Sequence, residues 1–171
     1  MARDKQTGLT DKQSALYFDG DYVFTELDVR NVMSLDFKSE KELCDYIEDH
    51  INLFCIVVLS DIYISHKREY QISEYSKCRK NKRLDFYIEC EKYRYVIEVK
   101  NPIYKSELQA GVGQVLSYIV LLENKSMKVD KYIIVTTKYD ELVAISIEKF
   151  KLPIDLVIFS KSKYLRYVRS A

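Results

Sequence analysis

The 171-residue chain carries 27 Lys and Arg against 26 Asp and Glu, a formal net charge of +1, so bulk charge singles out no partner. Any nucleic-acid footprint must be a local patch. Apolar residues at 47% and aromatics at 13%, with 4 Gly and 2 Pro, exclude disordered, collagen-like and low-complexity classes and suit one hydrophobic core with at most a modest extension.

Met1-Ala2-Arg3-Asp4-Lys5-Gln6-Thr7 has no long apolar segment behind its basic residues, which argues against a secretory signal. The longest apolar stretches, 51–59 and 115–122, are shorter than the ~20 residues of a membrane span. The expectation is a cytoplasmic, intracellular protein without a membrane anchor. Cys44, Cys55, Cys78 and Cys90 are 11, 23 and 12 residues apart, contain no CxxC pair and have only His50 and His66 to join them. Zinc and iron–sulfur sites use closer pairs, so these are read as reduced thiols.

Residues 1–38 read as an N-terminal extension packed on a domain spanning 39–171, with a hairpin signal at Asp19-Gly20. Ser39-Glu40-Lys41-Glu42 is an S-x-x-E capping box, and the apolar positions from Leu43 to Phe54 predict a helix over 40–54. Segments 56–64 and 69–75 are rich in Ile, Val and Tyr and read as extended; the basic run 77–83 follows them. Strands are expected over 84–90 and 93–100, turning at Glu91-Lys92, then a helix over 107–123 and strands over 131–137 and 154–160. Residues 142–150 fit either a strand or a short helix.

The chemistry concentrates around the Glu91-Lys92 turn. Asp85 and Glu98 lie equally far from it, so a tight antiparallel hairpin sets them directly opposite, with Cβ atoms roughly 4.5–5.5 Å apart. Facing like charges are destabilising unless neutralised, and a hard divalent cation is a natural neutraliser for carboxylate oxygens. Strand parity puts Lys100 on the face of Glu98. Two carboxylates and an ammonium suit metal-assisted phosphodiester hydrolysis, in which the lysine orients the attacking water or offsets developing charge. An isolated E-x-K, by contrast, is usually a solvated edge-strand pattern.

Asp85, then Glu98-Val99-Lys100 thirteen residues on, then a helix bearing Gln114 and Tyr118, resembles the PD-(D/E)XK nuclease superfamily over residues 39–137. The wider pattern is similar to the branch holding archaeal Holliday-junction resolvases and viral and RecB-like nucleases. The resemblance implies an α/β restriction-endonuclease-like core of helix, three-stranded meander, helix and strand, with a mixed central sheet flanked by helices. It implies Asp85, Glu98 and Lys100 as signature residues, Glu40 and the Val99 carbonyl as further ligands to magnesium or manganese, and Q-x-x-x-Y, here Gln114 and Tyr118, as an accessory motif. Leu84 stands where many members carry proline, a position the superfamily varies freely.

Glu42 serves the capping box, whereas Glu40 shares a helical face with Leu43 and Ile47 and should point toward the sheet. On the second helix Gln114 and Tyr118 share a face, where Gln114 could orient Lys100 or a substrate phosphate, and Ala110 and Gly111 nearby would admit a phosphate backbone or a neighbouring strand. Arg79, Lys80, Lys82 and Arg83 are candidates for phosphate contact, and Tyr118 for contact with nucleic acid. Lys161, Lys163, Arg166 and Arg169 form a second candidate surface, and His66 has no nameable partner. The expected activity is magnesium-dependent DNA hydrolysis, with branched DNA as the structure-selective option and a homodimer as one way to present two sites to two strands. The rivals are a restriction-like or mobile-element nuclease acting on duplex or single-stranded ends, and a nucleic-acid-binding protein with the same fold that does not cut.

Overall fold

The computed structural model describes residues 37–72 and 82–159, and the backbone of 165–168. These residues form an α/β fold around one six-stranded sheet, ordered as in the chain: β1 (Tyr63–Gln71), β2 (Arg83–Cys90), β3 (Arg94–Lys100), β4 (Lys131–Thr136), β5 (Ile154–Phe159) and β6 (Leu165–Val168). β1, β2 and β3 make an antiparallel meander, β4 and β5 continue parallel to β3, and β6 returns antiparallel. The sheet is mixed because its later connections are helices, α3 (Lys105–Asn124) before β4 and α4 (Glu141–Lys149) before β5, and a helical crossover lets consecutive strands run parallel. The ambiguous stretch 142–150 is therefore helical, and Asp140 caps it by accepting the Val143 N–H at 3.1 Å.

α1 (Glu40–Asp49) starts where the capping signal placed it, with Ser39 Oγ accepting the Glu42 N–H at 3.2 Å. Glu42 reaches back one residue further than a standard capping box and accepts the Lys38 N–H at 2.6 Å. Past α1 the extended expectation for 56–64 holds only at Tyr63 and Ile64. α2 (Ile51–Phe54) runs into a π-helical turn, Cys55–Leu59, which Ser60 ends in the left-handed region at φ 52°. The β-branched run Ile56-Val57-Val58 favours a strand locally, but as a helical turn it sends Cys55, Val57 and Leu59 into the core. The strand expected over 69–75 begins earlier instead, at Tyr63.

Each face of the sheet is covered. Leu43, Ile47 and Phe54 pack on one face against Phe86, Ile88, Ile97, Val99 and Val135. Leu108, Val115, Leu122, Val143 and Ile147 pack on the other against Tyr87, Val96, Ile134 and Leu156. β4, between helical layers, accordingly reads as an apolar run from Tyr132 to Val135, while Glu98 interrupts β3 and Asp155 interrupts β5. Buried Asp61 fastens the β2–β3 turn, accepting the N–H groups of Lys92 and Tyr93, each at 3.1 Å, and the Tyr95 hydroxyl at 3.0 Å. Cys90 N–H donates to Tyr93 O at 3.0 Å, which leaves Glu91 and Lys92 at the tip.

Cys44, Cys55 and Cys90 are buried free thiols, and no helix among the described residues is long and apolar enough to cross a membrane. Phe37, at the end of the N-terminal extension, packs on the core beside Tyr46 with ring centroids 5.5 Å apart. The hairpin signal at Asp19-Gly20, Cys78, and the side chains of the C-terminal basic segment lie outside the described residues.

Candidate active site

The hairpin keeps the register its turn dictates, from Glu89↔Arg94 to Phe86↔Ile97. The next level would set Asp85 directly across from Glu98, as the spacing predicts. The pairing stops one level short, and Asp85 Oδ2 accepts the Val99 N–H at 2.7 Å instead. On the other side, β1 pairs Arg68 with Phe86 and Tyr70 with Leu84 but skips Glu69, the residue level with Asp85, whose φ is 49°. A regular strand turns residues two apart to one face. Here Leu84 and Phe86 pack into opposite core clusters, so β2 rolls over at Asp85. The carboxylate thus sits at a break in both ladders, where it takes up the Val99 N–H that the pairing would otherwise use.

Glu98 is 1% exposed, and both of its oxygens are engaged. Lys100 Nζ lies 2.6 Å from Oε1, and the Tyr118 hydroxyl lies 3.0 Å from Oε2 and 2.9 Å from the carbonyl of Arg83. Lys100 Nζ also donates to Val99 O at 3.1 Å and lies 3.4 Å from Glu40 Oε2. Glu40, Asp85, Glu98, Val99 and Lys100 therefore converge, drawn from the N-terminus of α1, β2 and the end of β3. Glu42, by contrast, is committed to its own helix end.

Burial and crowded negative charge shape the electrostatics. Burial first, then the charge of Glu98, pushes Asp85 from 3.8 up to about 7, against the Val99 N–H and Lys100. Glu98 is raised by burial, with Lys100 and Tyr118 opposing. Burial works against the charge of Lys100, but the pull of Glu98, Glu40 and Asp85 holds its ammonium above the ordinary lysine value. Tyr118 is likewise raised, by burial and then by Glu98.

Tyr118 is 2% exposed and has no surface to offer a base or phosphate, which corrects its place among the nucleic-acid contacts. Its ring lies in the core under α3 and its hydroxyl orients Glu98. Gln114, one turn earlier, lines a cavity of about 960 Å³ together with Glu40, Lys100, Asn101, Lys38 and Lys138. It makes no hydrogen bond to Lys100. Gly111 does admit a close neighbour, but that neighbour is the Lys100 side chain.

Arg79 and Lys80 lie outside the described residues. Lys82 and Arg83 lead into β2, where exposed Arg83 reaches Glu69 at 3.4 Å. His66 has partners that the sequence did not disclose: the Tyr63 hydroxyl at 2.8 Å from Nδ1 and Glu48 Oε1 at 3.3 Å from Nε2. Glu69 and Gly111 are the site's neighbours that sequence reasoning missed or misassigned, since nothing in a polar strand marks a positive φ.

The donor set is made of hard oxygens, three carboxylates and a carbonyl, which suits magnesium or manganese. Among the described residues no three acidic, His or Cys side chains are arranged as a ready-made cage. The ammonium of Lys100 occupies the space between Glu98, Glu40 and the Val99 carbonyl. The residues therefore fit a cation, and a tethered one stands among them. No family model matches this chain, and comparison with curated proteins and with solved structures found no match.

Proposed function

We propose that the protein is a metal-dependent deoxyribonuclease with a restriction-endonuclease-like core. The observation that carries this reading is the convergence of Glu98, Asp85, Glu40 and Lys100 at a broken strand level, with Glu98 1% exposed and Asp85 raised to about 7. A purely structural ion pair gains nothing from surplus buried carboxylate, whereas a site for a divalent cation and a phosphate does. The order of α1, a three-stranded meander, α3 and β4 supports the same reading.

In this reading Asp85, Glu98, Glu40 and the Val99 carbonyl hold magnesium or manganese, which when bound activates the scissile phosphate and lowers the pKa of water. Tyr118 keeps Glu98 in one orientation through Oε2. Lys100 donates to the attacking water or to a phosphate oxygen as charge develops. Gln114, in the cavity wall, steadies the phosphate chain, while Lys82 and Arg83, with Arg79 and Lys80, attract DNA. Branched DNA is the substrate class that the sequence resemblance favours, and a homodimer would present two sites to two strands.

The test incubates purified protein with linear duplex, single-stranded, flap and four-way-junction DNA in magnesium, manganese, calcium or chelator, beside Glu98→Gln. Cleavage in magnesium or manganese, little in calcium and none in chelator or in the variant is expected. Full activity in chelator would overturn the mechanism, and tight binding without cleavage in every metal would favour a nucleic-acid-binding protein of the same fold.

A further inference from the structure

We infer that Lys100 is a tethered counter-ion that occupies the cation position of the metal-free site and leaves it when a divalent ion enters, with Gly111 making the lane in which its side chain lies. The inference rests on the metal reading above and concerns what this lysine does before any substrate arrives.

Three observations carry it. The ammonium is held by three of the four groups that would ligate the ion, all but Asp85: Glu98 Oε1 at 2.6 Å, Val99 O at 3.1 Å, and Glu40 Oε2 and Oε1 at 3.4 and 3.5 Å. A monovalent and a divalent cation cannot share those oxygens at such distances, because their repulsion in a partly desolvated site is large. Second, Lys100 lines the cavity of about 960 Å³, so its ammonium has somewhere to go, namely the space that also holds Gln114. Withdrawal would carry the positive charge from the carboxylates to where a phosphate must lie.

The third observation is Gly111. A Cβ there would meet Lys100 Cγ at 3.2 Å, Cε at 3.5 Å and Cδ at 3.7 Å, whereas at Gly113 it would meet nothing within 4 Å. A glycine within a helix is unfavourable in itself. At Gly111 a Cβ would press on the lysine stem at Cγ, so the missing side chain lets that stem keep its close approach to α3. Gly111 is thus a positioning residue acting through Lys100.

The test uses the full chain and manganese alone. Free Mn²⁺ is titrated by electron paramagnetic resonance, and lysine accessibility is read at pH 8 with an amine-acylating reagent and peptide mass spectrometry. Lys41, whose side chain is 78% exposed, is the internal reference. In chelator Lys100 should label slowly, and saturating Mn²⁺ should raise its labelling roughly tenfold relative to Lys41. Lys100→Met should bind Mn²⁺ roughly ten- to a hundredfold more tightly, as expected for removing a charged hydrogen-bonding competitor. Gly111→Ala should raise Lys100 labelling in chelator, because the new methyl lifts the stem off α3. Mn²⁺ bound by the wild type with Lys100 labelling unchanged would overturn the inference and leave the metal site standing. No Mn²⁺ binding by either wild type or Lys100→Met would overturn both. Unchanged labelling in Gly111→Ala would overturn the role given to the glycine.

Discussion

Two cations of this molecule each sit among acids, and the acids that are shifted move in opposite directions in the two groups. Arg68 on β1 reaches Asp45 Oδ1 at 2.6 Å and also pairs with Glu48, both on α1, while His66 lies against Glu48. Asp45 is pulled below the ordinary carboxylate range by hydrogen bonds from Lys41 and Arg68, and Glu48 chiefly by Arg68. Around Lys100, Asp85 rises to about 7 and Glu98 also rises, burial being the leading cause in both. The side chains of Asp45 and Glu48 are 39% and 37% exposed, against 2% for Glu98. Solvated acids with enough cations stabilise the seam between α1 and β1. Buried Glu98 and the raised Asp85 share one ammonium with exposed Glu40, and that crowding retains a cost; such residual costs concentrate at functional sites.

Exchanging the roles of the two clusters is the harshest way to break this contrast. Glu98→Gln should lower DNA cleavage in magnesium by at least roughly 10²–10³-fold, the scale of losing one electrostatic group at a reacting centre. Arg68→Ala should lower stability only slightly, because the acids it leaves behind stay solvated, and should leave the cleavage rate within about twofold. Initial rates and urea unfolding on both variants decide it; a comparable loss of rate in both would erase the distinction. Tyr118→Phe is milder. Loss of its hydroxyl from Glu98 Oε2 should weaken Mn²⁺ affinity roughly 10–100-fold, with about 1 kcal/mol of stability lost.

Acidity sharpens the contrast, because the two clusters have opposite signs. Asp85 titrates at 3.8 unfolded and about 7 folded, so between those values the folded protein binds the extra proton. Its contribution is greatest below pH 3.8 and is lost as the pH rises toward about 7, with no further change above. Asp45 and Glu48 are depressed, so their contribution is present above the ordinary carboxylate pKa and is lost as pH falls through the folded values. Urea midpoints in chelator across pH 3–8 should show both trends. Asp85→Asn should flatten the upper slope and Arg68→Ala the lower one. The smallest effect concerns the basic run: neutralising Arg79, Lys80, Lys82 and Arg83 together should reduce the slope of log affinity against log salt by roughly 0.7–0.9 per lost phosphate contact, and an unchanged slope would return the run to solvated loop.

The hairpin's register was legible because a tight turn determines which residues share a level, and strand parity sets Lys100 on the face of Glu98; the direct Asp85–Glu98 opposition it predicts is replaced by the hydrogen bond from Val99 to Asp85. Glu40 was legible by helical spacing, since Leu43 and Ile47 mark the face that meets the sheet. The roll of β2 at Asp85 was not, because it depends on Glu69 taking a positive φ, and no residue beside it signals a bulge. Nor was the π-helical turn at Cys55–Leu59, where burial against the sheet overrides local strand preference. Tyr118 shows the limit of a spacing motif: it places Gln114 and Tyr118 on one helix face, yet one of them lines the cavity and the other is sealed in the core on Glu98.

The most direct measurement is thermal unfolding of wild type and Asp85→Asn at pH 8, each in chelator and in saturating Mn²⁺. If the carboxylates form a strained cation site, the variant unfolds in chelator at the wild-type temperature or slightly above it, because a repelled charge has gone. Mn²⁺ at a hundredfold excess over its Kd should then stabilise the wild type by about 2.7 kcal/mol and leave the variant nearly unmoved. A variant that unfolds markedly earlier in chelator, with Mn²⁺ shifting neither protein, would make Asp85 a structural residue and contradict the account.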